Sequence, residues 1–415
     1  MGVFEKKNTI FENEDVFRDD YQPDKIYERD EELDDYIAAL QPVVNGAIPR
    51  NIFLYGKTGV GKTVATRFLM DQLKQDIDDG IDLSIVNMNC TNLNSTYQVA
   101  INLVNKLKEK QGKSEIKTSG YPQQDVFNML YDELDELGGT ILIVLDEIDN
   151  IGSDDTLLYE LPRARANGYV DDAKPGVIGI SNKLSFKRNL SSKVKDSLCD
   201  EEINFSPYDA NQLREILSRR AEKGFKDGVL GESVIQLASA LAAQDRGSAR
   251  QALDLLYKAG DIARRSDSDT VEEKHLKKAD RELEKDQIKE GIDTLTTQGR
   301  LTLLTVVKLS LKDDPPFRTR DIYPEYRDLA RRGFDIDPLV RRRMHDHLKD
   351  LGMLGILEIY ERYEGKQGGS YYEYELDIPL NSAVEAFGEQ VGTDQRHRIN
   401  LTDDIKSLIK RNGLM

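Results

Sequence analysis

The chain has 415 residues, with 75 acidic against 58 basic side chains and a formal net charge of −17, a length that suits two or three domains. Two distant cysteines, Cys90 and Cys199, without CxxC or Cys/His spacing exclude a disulfide framework and a zinc site. No apolar run approaches the ~18 residues that span a bilayer, and the opening MGVFEKKNTIFENEDVF lacks a signal-peptide core, so no membrane role and a cytoplasmic location are expected.

The acidity is dominated by aspartate, 45 Asp against 30 Glu, often in pairs such as Asp34-Asp35 and Asp171-Asp172. Such density repels itself in dilute buffer but is screened at molar salt, where the Debye length is about 3 Å, which points to a salt-loving cell. In chain order, the first chemical signal is NIFLYGKTGVGKT at 51–63, an apolar strand running into a G-x-x-x-x-G-K-T loop and then a helical pattern. This is a phosphate-binding loop in its expected context. Gly56, Lys57, Thr58, Gly59, Val60, Gly61, Lys62, Thr63 and Val64 are its candidate nucleotide contacts. The glycines turn backbone N–H groups onto phosphates, the helix adds its positive end, Lys62 reaches the β- and γ-phosphates, and Thr63 binds magnesium.

A second apolar strand, TILIVLDEID at 140–149, ends in acids. At the carboxyl end of a strand in a doubly wound sheet, Asp146 faces the magnesium and Glu147 the attacking water. A third strand, GVIGISN at 176–182, ends in Asn182, whose amide is a candidate for holding the γ-phosphate or the water. The alternation of strands and helices implies an α/β fold with a parallel sheet covered on both faces.

From Gly299 the pattern changes to three helical segments and a hairpin. The third helix is expected to open with Asp337 as N-cap and Pro338 in its first turn. Val340, Met344, Leu348 and Leu351 form its buried stripe, Arg341, His345 and Lys349 another face, and Gly352 its end. GILEIYERY and SYYEYEL, joined by EGKQGG, read as a hairpin, so the whole is a winged helix-turn-helix. Residues 299–380 hold 14 Lys and Arg against 15 Asp and Glu, so nearly all of the −17 lies elsewhere. The candidate DNA contacts are Arg341, Arg342, Arg343, His345 and Lys349 on the helix and Arg362 and Lys366 on the wing.

The loop at 56–63, the DEID box, Asn182 and GSARQALDLL at 247–256 together resemble an AAA+ ATPase. That resemblance implies ATP/ADP and Mg2+ as ligands and a sensor arginine at Arg250. It also implies a helical lid in which Tyr208 lies against the adenine and Arg220 approaches the phosphates, with Ile26 at the base. With the winged helix added, the chain resembles the archaeal origin-recognition and cell-division-cycle initiators, from about residue 8 to 378. The implied organisation is an N-terminal arm (1–20), a nucleotide-binding core (21–205), a lid (206–290), a winged helix (291–380) and a tail (381–415).

The implied function is an ATP/ADP switch with slow hydrolysis that binds double-stranded origin DNA, recruits a replicative helicase and self-associates on DNA in the nucleoid. A helical insertion carrying Lys106, Lys108, Lys110, Lys113 and Lys117 is implied as a further DNA contact. Two departures stand out. NLSSKVKDSL at 189–198 offers Lys193 and Lys195 where the family tends to carry arginine, and the wing is poorer in arginine than is usual. A remodelling or clamp-loading ATPase shares the first domain but not the basic third helix. An ATP-dependent transcription regulator shares every motif.

Overall fold

The computed structural model describes residues 10–78, 80–152, 154–363, 370–388 and 402–412, and the chain divides into two compact units, residues 1–279 and 280–415. In the first, α1 (Asp30–Val44) precedes β1 (Ile52–Tyr55), whose apolar side chains are buried on both faces, as expected of a central parallel strand. Then come α2 (Lys62–Asp76), β2 (Leu83–Asn89), α3 (Thr96–Lys110), α4 (Gln123–Leu137), β3 (Thr140–Asp146) and the single-turn α5 (Thr156–Glu160). β4 (Lys174–Ser181), α6 (Leu184–Asn189), α7 (Ser192–Leu198) and β5 (Glu201–Asn204) complete the layer. The five strands run parallel in the order β2-β3-β4-β1-β5. Chain order and sheet order diverge around β1, and that is where a doubly wound sheet opens its ligand crevice.

Two cores cover the sheet. One joins α3, α4 and the segment after β3 to one face, and the other joins α1 and α2 to the opposite face. β2 and β5 were not foreseen; β5 is a short strand of alternating exposure paired only to β1. The lid helices follow as α8 (Ala210–Gly224), α9 (Glu232–Asp245) and α10 (Ala249–Arg265). α8 starts with a capping box in which Asp209 accepts from Asn211 and Gln212 N–H, fixing where the chain turns out of the sheet.

The division between units falls within α11 (Glu273–Thr294). The second unit holds α12 (Thr297–Ser310), β6 (Phe317–Arg318), α13 (Thr319–Asp328), α14 (Arg341–Met353), β7 (Leu357–Tyr363) and β8 (Ser370–Leu376), with the small sheet in the order β6-β8-β7. α12 is buried nearly all round, Arg300 and Lys308 included, and the other elements pack on it.

Three details of the third helix differ from expectation. α14 begins at Arg341 with Val340 as N-cap, and Val340 is 65% exposed, so only Met344, Leu348 and Leu351 form the buried stripe. The chain before it stays extended because tyrosine hydroxyls satisfy its backbone: Leu339 N–H donates to Tyr326, and Tyr323 donates to the Leu339 carbonyl. Gly352 does not end the helix; a Cβ there would lie 2.3 Å from Ile359 Cδ1, so its smallness seats the hairpin against the helix. The turn itself is made at Gly355, φ +69°.

The described parts of the segment expected as a separate tail, 381–388 and 402–412, contribute to this core. α15 (Leu380–Gly388) and α16 (Asp403–Arg411) bury Ala383, Val384, Ala386, Phe387, Ile405 and Ile409 in it. Beneath α16 the ammonium of Lys308, itself buried, lies 3.0 Å from Asp404 and 3.2 Å from Glu325. Burial pushes the Asp404 carboxyl up, but hydrogen bonds from Thr402 and Lys308 outweigh it and hold the group below its ordinary value. A depressed carboxyl contributes stability above the ordinary carboxylate range and loses it as pH falls through that range. Asp404→Asn should therefore destabilise the second unit by about 1 kcal/mol in urea at neutral pH, Lys308 keeping Glu325. The deficit should close in acid; a deficit independent of pH would mean that packing of α16, not its charge, had been disturbed.

Candidate nucleotide site and DNA-facing helix

The loop between β1 and α2 is shaped by what presses on it. Gly56, Gly59 and Gly61 have φ of +153°, +79° and +96°. A Cβ on them would lie 2.2 Å from the Phe205 carbonyl oxygen, 1.9 Å from Ser248 Oγ and 2.9 Å from the Tyr208 hydroxyl, respectively. Only glycine fits both the backbone and the space. The carbonyls of the loop are taken up: Lys62 Nζ donates to those of Gly56 and Lys57 at 2.8 Å, Ala249 N–H to Gly59 at 3.0 Å, and Arg29 to Val60 at 3.1 Å. Its N–H groups, residues 57–61, donate to no acceptor among the described residues. Unpaired amides at a helix N-terminus make a cradle for an anion.

Lys62 also donates to Asn182 Oδ1 at 2.8 Å, which brings the ends of β1 and β4 together. Burial lowers its pKa to about 8, against the opposing pull of Asp146, Asp149 and Glu147. Thr63 Oγ1 donates to Asp146 Oδ2 at 2.9 Å, and burial raises the Asp146 carboxyl. This is a hard oxygen pair of the kind magnesium takes when substrate phosphates and water complete its shell. Among the described residues no cluster of three or more His, Cys, Asp or Glu could hold a metal alone. The donor set therefore fits a metal that arrives with phosphates.

Glu147 leaves β3 in the left-handed region, φ +58°. Its carboxylate accepts from Thr91 Oγ1 at 2.7 Å and from Asn150 at 3.2 Å. Thr91 was missed by sequence reasoning. Its signal lay in the parallel register, which sets Asn89 opposite Asp146 and so brings the residues just beyond β2 alongside Glu147. Asp149 was also missed; it accepts from Asn182 N–H and Ser181 Oγ, both at 3.1 Å, and orients the end of β4.

One cavity gathers Ile26, Thr58, Gly59, Gly61, Lys62, Thr63, Val64, Glu147, Asn182, Tyr208, Arg220 and Arg250 along its wall. Its lining also includes the apolar or aromatic side chains of Phe17, Ile26, Tyr27, Ile216 and Leu253, groups of the kind a base packs against. Two residues sit differently from expectation. Arg220 donates to the Val16 carbonyl at 2.9 Å and covers the Tyr21 ring at 4.3 Å, so its guanidinium is engaged with the N-terminal arm and not with the phosphate loop. Tyr208 is buried against Gly61 and beneath the guanidinium of Arg29, 3.6 Å from its ring centroid, so it braces the loop. Arg29, 3% exposed, was not foreseen; it ties the loop at Val60 to the Ser206 carbonyl.

In the second unit Arg341, Arg342 and Arg343 are exposed and make no ion pair among the described residues. The expected face of Arg341, His345 and Lys349 divides. His345 Nδ1 lies 2.7 Å from the Tyr374 hydroxyl, and Lys349 sits 5.4 Å from the Tyr372 ring centroid, so both lean on the hairpin. Arg362 pairs with Glu373 at 3.2 Å, as does Arg318 of β6, so one acid of the hairpin partners both guanidiniums. Lys366 lies outside the described residues. In the lysine-rich stretch Lys108 and Lys113 pair with Glu133 at 2.7 and 2.8 Å, whereas Lys106, Lys110 and Lys117 have no ion pair among the described residues.

The chain matches three families: an AAA domain over 49–178, a Cdc6 AAA+ ATPase-type lid domain over 214–281, and a CDC6 C-terminal winged helix domain over 290–386. It is 51% identical to ORC1-type DNA replication protein 15 of Haloarcula marismortui over 416 residues, all of both chains. It is 50% identical to ORC1-type DNA replication protein 10 of Halobacterium salinarum, covering all of this chain and 99% of that one. Among solved structures it is similar to the Aeropyrum pernix ORC1 protein in complex with DNA, with a TM-score of 0.79, 33% identity, and coverage of 92% of this chain and 98% of that one. Among the described residues no helix is long and apolar enough to cross a membrane.

The Lys62 pKa gives a test of the cradle. Phosphate oxygens stabilise the ammonium, so binding takes up a proton wherever the free site has lost one. ATP affinity should be flat below pH about 8 and fall between there and the ordinary lysine value of 10.5. A flat profile by calorimetry across that window would remove Lys62 from phosphate binding.

Proposed function

The chain belongs to the ORC1/Cdc6-type family of DNA replication initiators, within the AAA+ ATPases, and we propose that it is a DNA-bound switch set by ATP and ADP at a replication origin. The observation that carries this reading is the meeting of Lys62, Glu147, Asn182 and Arg250 in one cavity. In the same chain the helix α14 carries three arginines with no ion pair among the described residues. Its relatives from Haloarcula and Halobacterium agree with the salt-loving surface.

In the proposed cycle the free amides of 57–61 and the Lys62 ammonium bind the β- and γ-phosphates. Thr63 and Asp146 would hold a magnesium ion that arrives with the nucleotide, and the ion would supply charge neutralisation for phosphoryl transfer. Asn182, steadied by Asp149, orients the water, and Glu147 accepts its proton once its carboxylate leaves Thr91. Arg250, at the start of α10, reports the γ-phosphate to the lid. Turnover is slow for two reasons. Glu147 rests in a hydrogen bond that must be broken, and 189–198 presents the exposed Lys193 where a guanidinium fork would stabilise the transferring phosphoryl group better.

In the bound state Arg341 to Arg343 contact the DNA backbone and base edges; that the similar A. pernix protein is in complex with DNA supports DNA binding in general. Recruitment of a replicative helicase, self-association on DNA and a place in the cytoplasmic nucleoid belong to the same proposal. Three measurements test it. Lys62→Ala should lose most ATP affinity while Glu147→Gln binds ATP and turns over far more slowly; equal loss of binding in both would remove Glu147 from hydrolysis. Replacing Arg341 and Arg342 by alanine should lower the salt slope of duplex binding by about 0.9 for each lost phosphate contact. An unchanged slope would return these arginines to plain solvation. Turnover per molecule should stay constant as concentration rises; a steep rise would mean that a neighbouring molecule supplies a catalytic group.

A further inference from the structure

Of the ion pairs that line the nucleotide cavity, the one at the start of α10 involves a residue of the proposed cycle, and no step above uses the pairing. Arg250 Nε lies 2.8 Å from Asp19 Oδ1, and both residues line the cavity. The arginine's starting point is fixed. Ala249 N–H is bonded to the Gly59 carbonyl, and Arg250 Cβ lies 3.3 Å from where a Cβ on Gly59 would stand. Its positive charge also contributes to the lowered pKa of Lys62, so the guanidinium and the phosphate-binding ammonium share one field.

Asp19 is held just as firmly, on the arm that precedes α1. Phe11 and Phe17 pack on Phe225 with ring centroids 5.0 and 5.2 Å apart, and Glu14 accepts from Tyr257 and Arg264 at 3.0 and 2.7 Å. Gly224 and Gly260 leave room for those rings, since a Cβ on either would lie within 2.5 Å of one. The arm is therefore part of the lid, and both partners of the ion pair sit on the lid side of the cavity. A movement of the lid against the sheet would carry both partners together, and an anion in the cavity would compete with Asp19 for the guanidinium.

We propose that Asp19 is a specificity-determining residue for the third phosphate of the nucleotide. It holds Arg250 when that phosphate is missing and opposes its capture when the phosphate is present. The inference rests on the nucleotide-binding reading of the cavity. A γ-phosphate and the Asp19 carboxylate are two anions competing for one guanidinium, and the carboxylate, once displaced, remains beside the phosphate as a like charge. ADP stops short of that contest. Asp19 therefore weakens ATP binding and leaves ADP binding unchanged, which narrows the preference between them and keeps the switch responsive to the ratio of the two. Both side chains are at least half exposed, so the effect shrinks as salt rises.

The test measures ATP and ADP dissociation constants by calorimetry in a Glu147→Gln background, where hydrolysis is suppressed. Asp19→Asn, Arg250→Ala and the double variant are compared at low and at molar salt. Asp19→Asn should tighten ATP about two- to fivefold at low salt, the range of an exposed ion pair, and leave ADP unchanged. The gain should vanish when Arg250 is also alanine and shrink at molar salt. An unchanged ATP constant, an equal change for both nucleotides, or a gain that survives loss of Arg250 would overturn the proposal. Failure of the parent to bind either nucleotide would instead bring down the reading of the cavity itself, and the role of Asp19 with it.

Discussion

Everything at the cavity depends on a six-residue loop being held from three sides at once. The sheet edge holds it where Phe205 crowds Gly56, the start of α10 holds it at Gly59, and Tyr208 under Arg29 holds it at Gly61 and Val60. Each restraint takes a carbonyl or fills the space of a missing side chain, and together they leave the amides as the loop's free groups. The order that anion binding requires is present before any anion arrives, which is the condition for strong electrostatic binding at low reorganisation cost. All three restraints draw on residues that follow β5, namely Phe205, Tyr208 and the start of α10, so the phosphate site is shaped in part by the segment leading into the lid and by the lid itself.

The parts of this machine that were legible in the sequence are those in which local spacing carries the chemistry. Glycines and lysine in a loop, acids at the end of an apolar run and an amide at the end of another all signal within a dozen residues. What was not legible depends on contacts across the chain. Arg29 looks like one more charge in ERDEELDD, yet it is buried because Tyr208 and two carbonyls 31 and 177 residues away receive it. Thr91 matters only because β2 lies beside β3. The start of α14 was misplaced because Asp337 and Pro338 are a good local start signal, and the hydroxyls of Tyr323 and Tyr326 on another helix override it. α16 fell within a stretch assigned only as a tail, although its Ile405 and Ile409 fall on one face four residues apart and Lys308 waits beneath it.

Charge follows the same division. In a chain of net −17 a cation finds an acid easily, and Arg318, Arg362, Lys108, Lys113 and Lys308 have done so. Against that background the freedom of Arg341 to Arg343 is informative in a way that their number is not. The wing shows the converse: one carboxylate, Glu373, accepts two guanidiniums from different strands and ties β6, β7 and β8 together. Its arginines serve the hairpin first, so a wing poor in arginine is also a wing whose remaining arginines are occupied.

The bond between Ala249 and Gly59 makes α10 a lever. The helix is 17 residues long, about 25 Å at 1.5 Å per residue, and its first residue is pinned to the phosphate loop while its last turn carries Arg264 and the arm. With the pinned end as fulcrum, a tilt of about 10° would carry the far end about 4 Å along its arc. The geometry of the helix alone therefore makes the arm the place where a small rotation about the phosphate loop would be most visible.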